Sequence, residues 1–293
     1  MSEAKAPIVV GYDGSSGSQD ALDWAAAEAG RSRRPLTVLF AWGLADIPAA
    51  ELKNGHARVE GAADGIATSG KERAMRIASG IEVRSRTSRE SAATALRATS
   101  AQSALIVVGD RHQQRATGMT GSVVLDVAAH AECPVVFVPA ASAVAPGPKN
   151  PVVVGVDAST GSDAALQWGA DFATRARAEL VLAGAWHPPA AGHWTQDYLG
   201  DQEWRHMQVK GARHEATDHV AHARGVVSRD HTHLRFREHI EEAPASAMLA
   251  RLSTDAALLV IGARGSGDQS PLMLGSVGRG VMNRAYCPVA FVR

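Results

Sequence analysis

Short apolar runs without alternation punctuate the chain: Ile8-Val9-Val10, Thr37-Val38-Leu39-Phe40, Leu105-Ile106-Val107-Val108 and Val135-Val136-Phe137-Val138. Consecutive β-branched and apolar residues suit strands buried on both faces, and therefore a parallel sheet covered by helices. Between these runs the apolar spacing becomes that of a helix. Ser18 to Arg31 carries Ala21, Leu22, Ala25 and Ala29 on one face, with Ser15, Ser16 or Ser18 available as the N-cap. The β-α-β-α alternation predicts a doubly wound α/β sandwich of five strands.

The whole pattern occurs twice. Pro7-IVVGYDGSSGSQDALDW opens one copy and Pro151-VVVGVDASTGSDAALQW the other, so that Asp13 matches Asp157, Ser15 matches Ser159, and Trp24 matches Trp168. Both copies close on a Cys-Pro-Val strand, at Cys133 and Cys287. A chain of 293 residues accommodates about two domains of ordinary size. The expected fold is α/β, two tandem doubly wound five-stranded mostly parallel sheets, with residues 1–144 as one domain and 151–293 as the other. The Pro/Gly stretch from Ala145 to Pro151 divides them. Asp13 and Asp157 stand 144 positions apart, as do Trp42 and Trp186, whereas Gly109 and Gly262 are 153 apart and Cys133 and Cys287 154. The second copy therefore gains nine residues between its second and fourth strands and one in its glycine loop. The first gain falls in a segment rich in histidine, from His187 to His239.

Charge narrows the partners. Lys+Arg and Asp+Glu both number 30, so no global field draws nucleic acid or an acidic membrane. The start, MSEAKAP, has no apolar core, and no apolar stretch approaches the ~20 residues that span a bilayer. A cytoplasmic protein is expected. The two cysteines, each before a proline that opens an apolar run, read as packing residues of a reducing compartment.

The candidate chemistry lies where strand four ends. From Gly262 the second copy reads G-x2-G-x9-G-S, through Gly265, Gly275 and Ser276. Glycine lets backbone approach a phosphate without a Cβ, and Ser276 opens a helix whose first-turn amides suit an anion. Arg264 and Arg279 are candidate cations beside it. In doubly wound sheets, ligands sit beyond the carboxyl ends of strands where the strand order reverses, which brings Asp157 toward the same crevice. The sequence contains neither G-x4-G-K-[ST] nor a G-x-G-x-x-G after the first strand. The plainer alternative for the loop is a surface connection, and for Asp13 and Asp157 a turn cap.

The V-G-x-D-x-S opening, the G-x2-G-x9-G-S loop and the C-P-V strand resemble the universal stress protein family in its tandem arrangement, over nearly the whole chain. The resemblance implies an ATP site, with Mg2+ as the nucleotide's companion cation, in which the loop holds ribose and phosphates and the strand-one aspartate contacts the nucleoside. On this chain it implies Asp157, Gly262, Gly265, Gly275 and Ser276, lined by Val156, Ala185, Ile261, Ala263, Arg264 and Val277. The first copy offers Asp13, Gly109, Gly121, Ser122 and Val123, but His112 replaces its middle glycine, Asp110 replaces Ala263 and Asp126 replaces Gly280. Two carboxylates beside a triphosphate, with Arg111 to offset them, imply weaker ATP binding there. The resemblance further implies that the last strand of each copy pairs with the other inside the chain, and it is compatible with a homodimer. The function expected is that of a nucleotide-dependent stress-response module acting on an unidentified protein partner. The alternatives are a slow ATPase or adenylyl-transferring enzyme, and a structural interaction protein whose first domain has lost its ligand.

No catalytic residue or metal site is assigned. His219 and His222 fall three apart on an expected helix and His231 and His233 on one face of an expected strand, without a Cys or carboxylate set at ligand spacing. The segment reads as a solvated insertion or as a surface that gains charge below about pH 6.5. Glu241-Glu242 reads as a solvated turn.

Overall fold

The structure is a computed structural model and describes residues 5–43, 49–110, 122–140, 142, 149–187, 201–264 and 274–293, without the side chains of 49–57, 122, 201–206 and 208. Gly121, His112, Arg111, Gly265 and most of the glycine loop therefore lie outside the described residues.

The first repeat alternates as its pattern predicts. Its strands are β1 (Ile8–Gly11), β2 (Leu36–Ala41), β3 (Val83–Ser88), β4 (Leu105–Gly109) and β5 (Val135–Val138). Its helices are α1 (Ser16–Ser32), α2 (Ala49–Ile77), α3 (Ala92–Ser100) and α4 (Ser122–His130). The second repeat supplies β6 (Val152–Gly155), α5 (Thr160–Ala176), β7 (Leu180–Trp186), α6 (Asp201–Asp230), β8 (Phe236–Glu242), α7 (Ala245–Leu252), β9 (Leu258–Gly262), α8 (Ser276–Met282) and β10 (Val289–Val292).

By contacts the chain forms two units, and β10 is counted with the first, which comprises Met1–Ala145, Ser270–Leu274 and Tyr286–Arg293. In that unit β1 lies between β2 and β4, β3 flanks β2, and β5 flanks β4, all parallel. β10 then runs antiparallel along β5, Val289 opposite Phe137 and Phe291 opposite Val135. In the second unit β6 lies between β7 and β9, with β8 beside β7, again parallel. The strand order thus reverses at β1/β4 and at β6/β9. Fully apolar β5 and β10 are buried along their length. The outer strands β3 (VRSRTS) and β8 (FREHIEE) put charge on a face open to water, which guards a strand edge against further pairing.

Local chemistry starts the helices. Ser15 and Ser159 cap α1 and α5, each hydroxyl accepting from the backbone N–H three residues on, at Ser18 and Ser162. Both helices end on an arginine in the left-handed region, Arg33 (φ 50°) and Arg177 (φ 53°). Of the histidine-rich segment, residues 201–230 form the helix α6, which exposes His214 and His222 on one side and packs inward on the other. Ala216, Val220, Ala223 and Val227, spaced for one helical face, are buried, and each valine gains about 2 kcal/mol by burial. Equivalent helix ends, Ile77 and Asp230, are already 153 apart. The nine-residue gain therefore precedes the end of α6, between Trp186 and that helix's body. His231 and His233 sit in the turn after α6 rather than on a strand. Glu241 and Glu242 close β8 instead of forming a turn, and Glu241 accepts from Arg251 and lies 2.9 Å from His239 Nε2.

Candidate nucleotide crevice

The crevice of the second unit is assembled where β6 and β9 end side by side. Two residues beyond β6, the Asp157 Oδ1 accepts from the Ser159 N–H at 3.1 Å and from its hydroxyl at 2.6 Å. The Asp157 N–H in turn donates to Ser162 Oγ at 3.1 Å. The first repeat copies this network: Asp13 Oδ1 accepts from the Ser15 N–H (3.0 Å) and hydroxyl (2.5 Å), and the Asp13 N–H reaches Ser18 Oγ at 3.3 Å. The turn-cap alternative for these aspartates is therefore present geometrically, and it also orients each carboxylate at a crevice wall. Ala158, at φ 54°, holds the conformation that Gly14 holds at φ 82° in the first repeat.

The glycines ending β9 and β4 have a packing reason. A Cβ on Gly262 would lie 2.8 Å from the Arg264 carbonyl oxygen and from the Gly161 carbonyl carbon, and one on Gly161 would lie 2.6 Å from that same oxygen. Gly109 and Gly17 meet in the same way, with a Gly109 Cβ only 2.0 Å from the Gly17 oxygen. The first turn of α1 or α5 thus rests backbone on backbone against the strand end, fixing the floor of each crevice.

The second crevice has a volume of about 330 Å3. Of the residues expected there, Val156, Asp157, Ala185, Ile261, Gly262, Arg264, Gly275, Ser276 and Val277 line it. Ala263 does not: it is buried, and its carbonyl accepts the Gly275 N–H at 3.2 Å, which ties the two ends of the loop together. Arg279 is exposed on α8 and not part of the lining. Sequence reasoning missed Ser162, Ala183, Met248, Leu249 and Gly278. Ser162 was findable, because Asp-x-Ser-x-Gly-Ser recurs as Asp13-GSSG-Ser18 and Asp157-ASTG-Ser162.

The first crevice is about 90 Å3, lined by Asp13, Ser15, Ser18, Gly109, Asp110 and Val123 among others. Several matching wall positions carry larger side chains than in the second crevice, Tyr12 in place of Val156 among them. Leu39 pairs with Gly11 where Ala183 pairs with Gly155 in the second repeat, and Val124 of α4 stands where α8 has Gly278. Each difference adds three carbon atoms, only partly offset by Val108 in place of Ile261. Asp110 does line this crevice and is buried, as its replacement of Ala263 implied. Asp126 does not: it accepts from Arg97 of α3 at 3.2 Å and lies 3.1 Å from His130 Nδ1, so its charge is compensated away from the crevice.

Elsewhere the titratable groups serve structure. Both cysteines are buried, and burial pushes the Cys133 thiol up to about 11, so it stays protonated and unreactive near neutrality. Among the described residues no group of three or more His, Cys, Asp or Glu side chains is placed to hold a metal. None of the described helices is long and apolar enough to cross a membrane.

Comparison with known proteins follows the same lines. The family model described as the universal stress protein family matches residues 6–139 and again 149–293. The universal stress protein Rv2623 of Mycobacterium tuberculosis is 32% identical, over 98% of this chain and 96% of its own. A universal stress protein of Mycolicibacterium smegmatis is 27% identical over the same shares. Among solved structures, a universal stress protein from Archaeoglobus fulgidus matches with a TM-score of 0.67 at 18% identity, covering 98% of this chain and 96% of the other, a likeness of fold.

Proposed function

Since the chain belongs to the universal stress protein family, we propose that its second repeat binds ATP and that the protein works as a nucleotide-dependent stress-response module rather than as a fast enzyme. One observation carries this reading. The second crevice gathers nine of the eleven residues expected of the site around a volume of about 330 Å3, within the ~300–1,000 Å3 of small-molecule pockets. The first, at about 90 Å3, falls well below that range. The lining also suits a nucleotide chemically. Val156, Ala185, Met248 and Leu249 offer an apolar wall for a base, while Asp157, Ser162, Arg264 and Ser276 place polar groups at its edge.

Asp157 is the one carboxylate among the described lining residues, and its Oδ1 already accepts two hydrogen bonds from Ser159. That favours a binding role over general-base work, which needs a carboxylate aimed at a water. Mg2+ would come with the nucleotide's phosphates rather than from a protein ligand set. The test is calorimetric titration of ATP into the full chain. One ATP per chain is expected, and Ala183→Leu, which installs the first repeat's side chain, should weaken binding at least tenfold while leaving the unfolding midpoint within a few degrees. Undiminished binding in Ala183→Leu would place the nucleotide elsewhere.

A further inference from the structure

The second unit has another cavity, of about 510 Å3, at the opposite end of β7 from the nucleotide crevice. It lies between the end of α5 and the turn that leads from α6 into β8. Its floor is apolar and buried, from Ala173 and Ala178, and its rim carries Arg177, His233 and Arg235, all exposed. Among the described residues none of these three forms an ion pair. The cavity's carboxylate, Glu179, accepts from Arg237 Nε at 3.3 Å, which compensates its charge.

The first repeat serves as an internal control for what the fold requires. Arg33 matches Arg177, but Gly80 stands where the second repeat has His233, and Glu82, bonded to Arg84 at 2.6 Å, stands in place of Arg235. The same helix-turn-strand corner therefore forms without an imidazole, and its second guanidinium, Arg34 in place of Ala178, donates to the Ala6 carbonyl at 3.1 Å. Arg177 also occupies a left-handed backbone position, φ 53°, where glycine is the unstrained choice. Two uncompensated guanidiniums and an imidazole above an apolar floor make a recognition site for multiply charged oxyanions, because guanidinium N–H groups bond phosphate oxygens in pairs. We propose that this corner binds a phosphorylated small molecule, independently of the nucleotide crevice.

The test is calorimetric titration of inorganic pyrophosphate into the full chain and three variants. Arg177→Gly removes one guanidinium while relaxing the backbone, so a loss of binding cannot be laid to misfolding. Arg235→Glu installs the residue that the first repeat tolerates at the same corner. Pyrophosphate is expected to bind one site, about tenfold or more weaker in each of these two variants and unchanged in Ala183→Leu. Absence of binding, or binding that ignores both arginine variants, would overturn the proposal. So would a loss confined to Ala183→Leu, which would assign the anion to the nucleotide crevice. ATP stoichiometry is read separately, so the two readings can fail apart.

Discussion

Gly161 shows how much of the crevice rests on backbone contact rather than on ligand chemistry. It packs against the Arg264 carbonyl, and a methyl group there would sit 2.6 Å from that oxygen. Gly161→Ala is therefore expected to destabilise the protein by about 1–3 kcal/mol, the usual cost of forcing an atom into a filled site, as a lower urea midpoint. An unchanged midpoint would mean that the strand end and helix need not touch. The sequence made Gly262 visible through its spacing, but for a reason only half complete. Its lack of a side chain lets α5 seat on β9 as well as leaving the crevice open. Ser15 was legible only as one of three hydroxyls, with Ser16 and Ser18, that could cap the helix, and Ser159 only as its match in the second copy. Leu39 and Val124 were not, since one apolar residue reads like another until its neighbours are known.

The strands legible from pattern were those buried on both faces, such as β4 and β9. β3 and β8 were not, because their exposed charges break the apolar run that marks a central strand. α6 was legible only as a helix around His219 and His222, while its buried face of Ala216, Val220, Ala223 and Val227 went unread. Helix pairing also differs between the repeats. In the first, Arg73 of α2 donates from Nε to Asp23 Oδ1 of α1 at 2.6 Å and from Nη2 to Oδ2 at 2.7 Å. In the second, α6 faces α5 through the looser pair His222–Asp163 at 3.7 Å, and His231 in the turn after α6 lies 3.9 Å from Asp171. Arg73 and Asp23 are each about a third exposed, 35%, so screening limits what the bidentate pair can contribute. Arg73→Met should cost about 1 kcal/mol or less at low salt, shrinking as salt rises. A loss independent of salt would show that the arginine acts through packing of its stem instead.

At the scale of the molecule, the repeat in sequence and the division in space do not coincide. β10 ends the second repeat, yet it is a strand of the first unit, antiparallel to β5. Cutting the chain near residue 145 would strip β5 of that neighbour, so the two crevices are best compared in the intact protein. There the duplication acts as its own control: one scaffold, one Asp-Ser-Ser network in each copy, and crevices of about 90 and 330 Å3. Duplication and glycine-loop spacing were legible in the sequence, whereas the side chains that differ between the cavities, such as Leu39 on β2 and Val124 on α4, are brought together only by strand register and helix packing. Native mass spectrometry of the full chain, after addition of ATP, counts bound nucleotides directly. One ATP per chain is expected, lost from the spectrum in Ala183→Leu; two per chain, or none, would overturn a single nucleotide site in the second crevice.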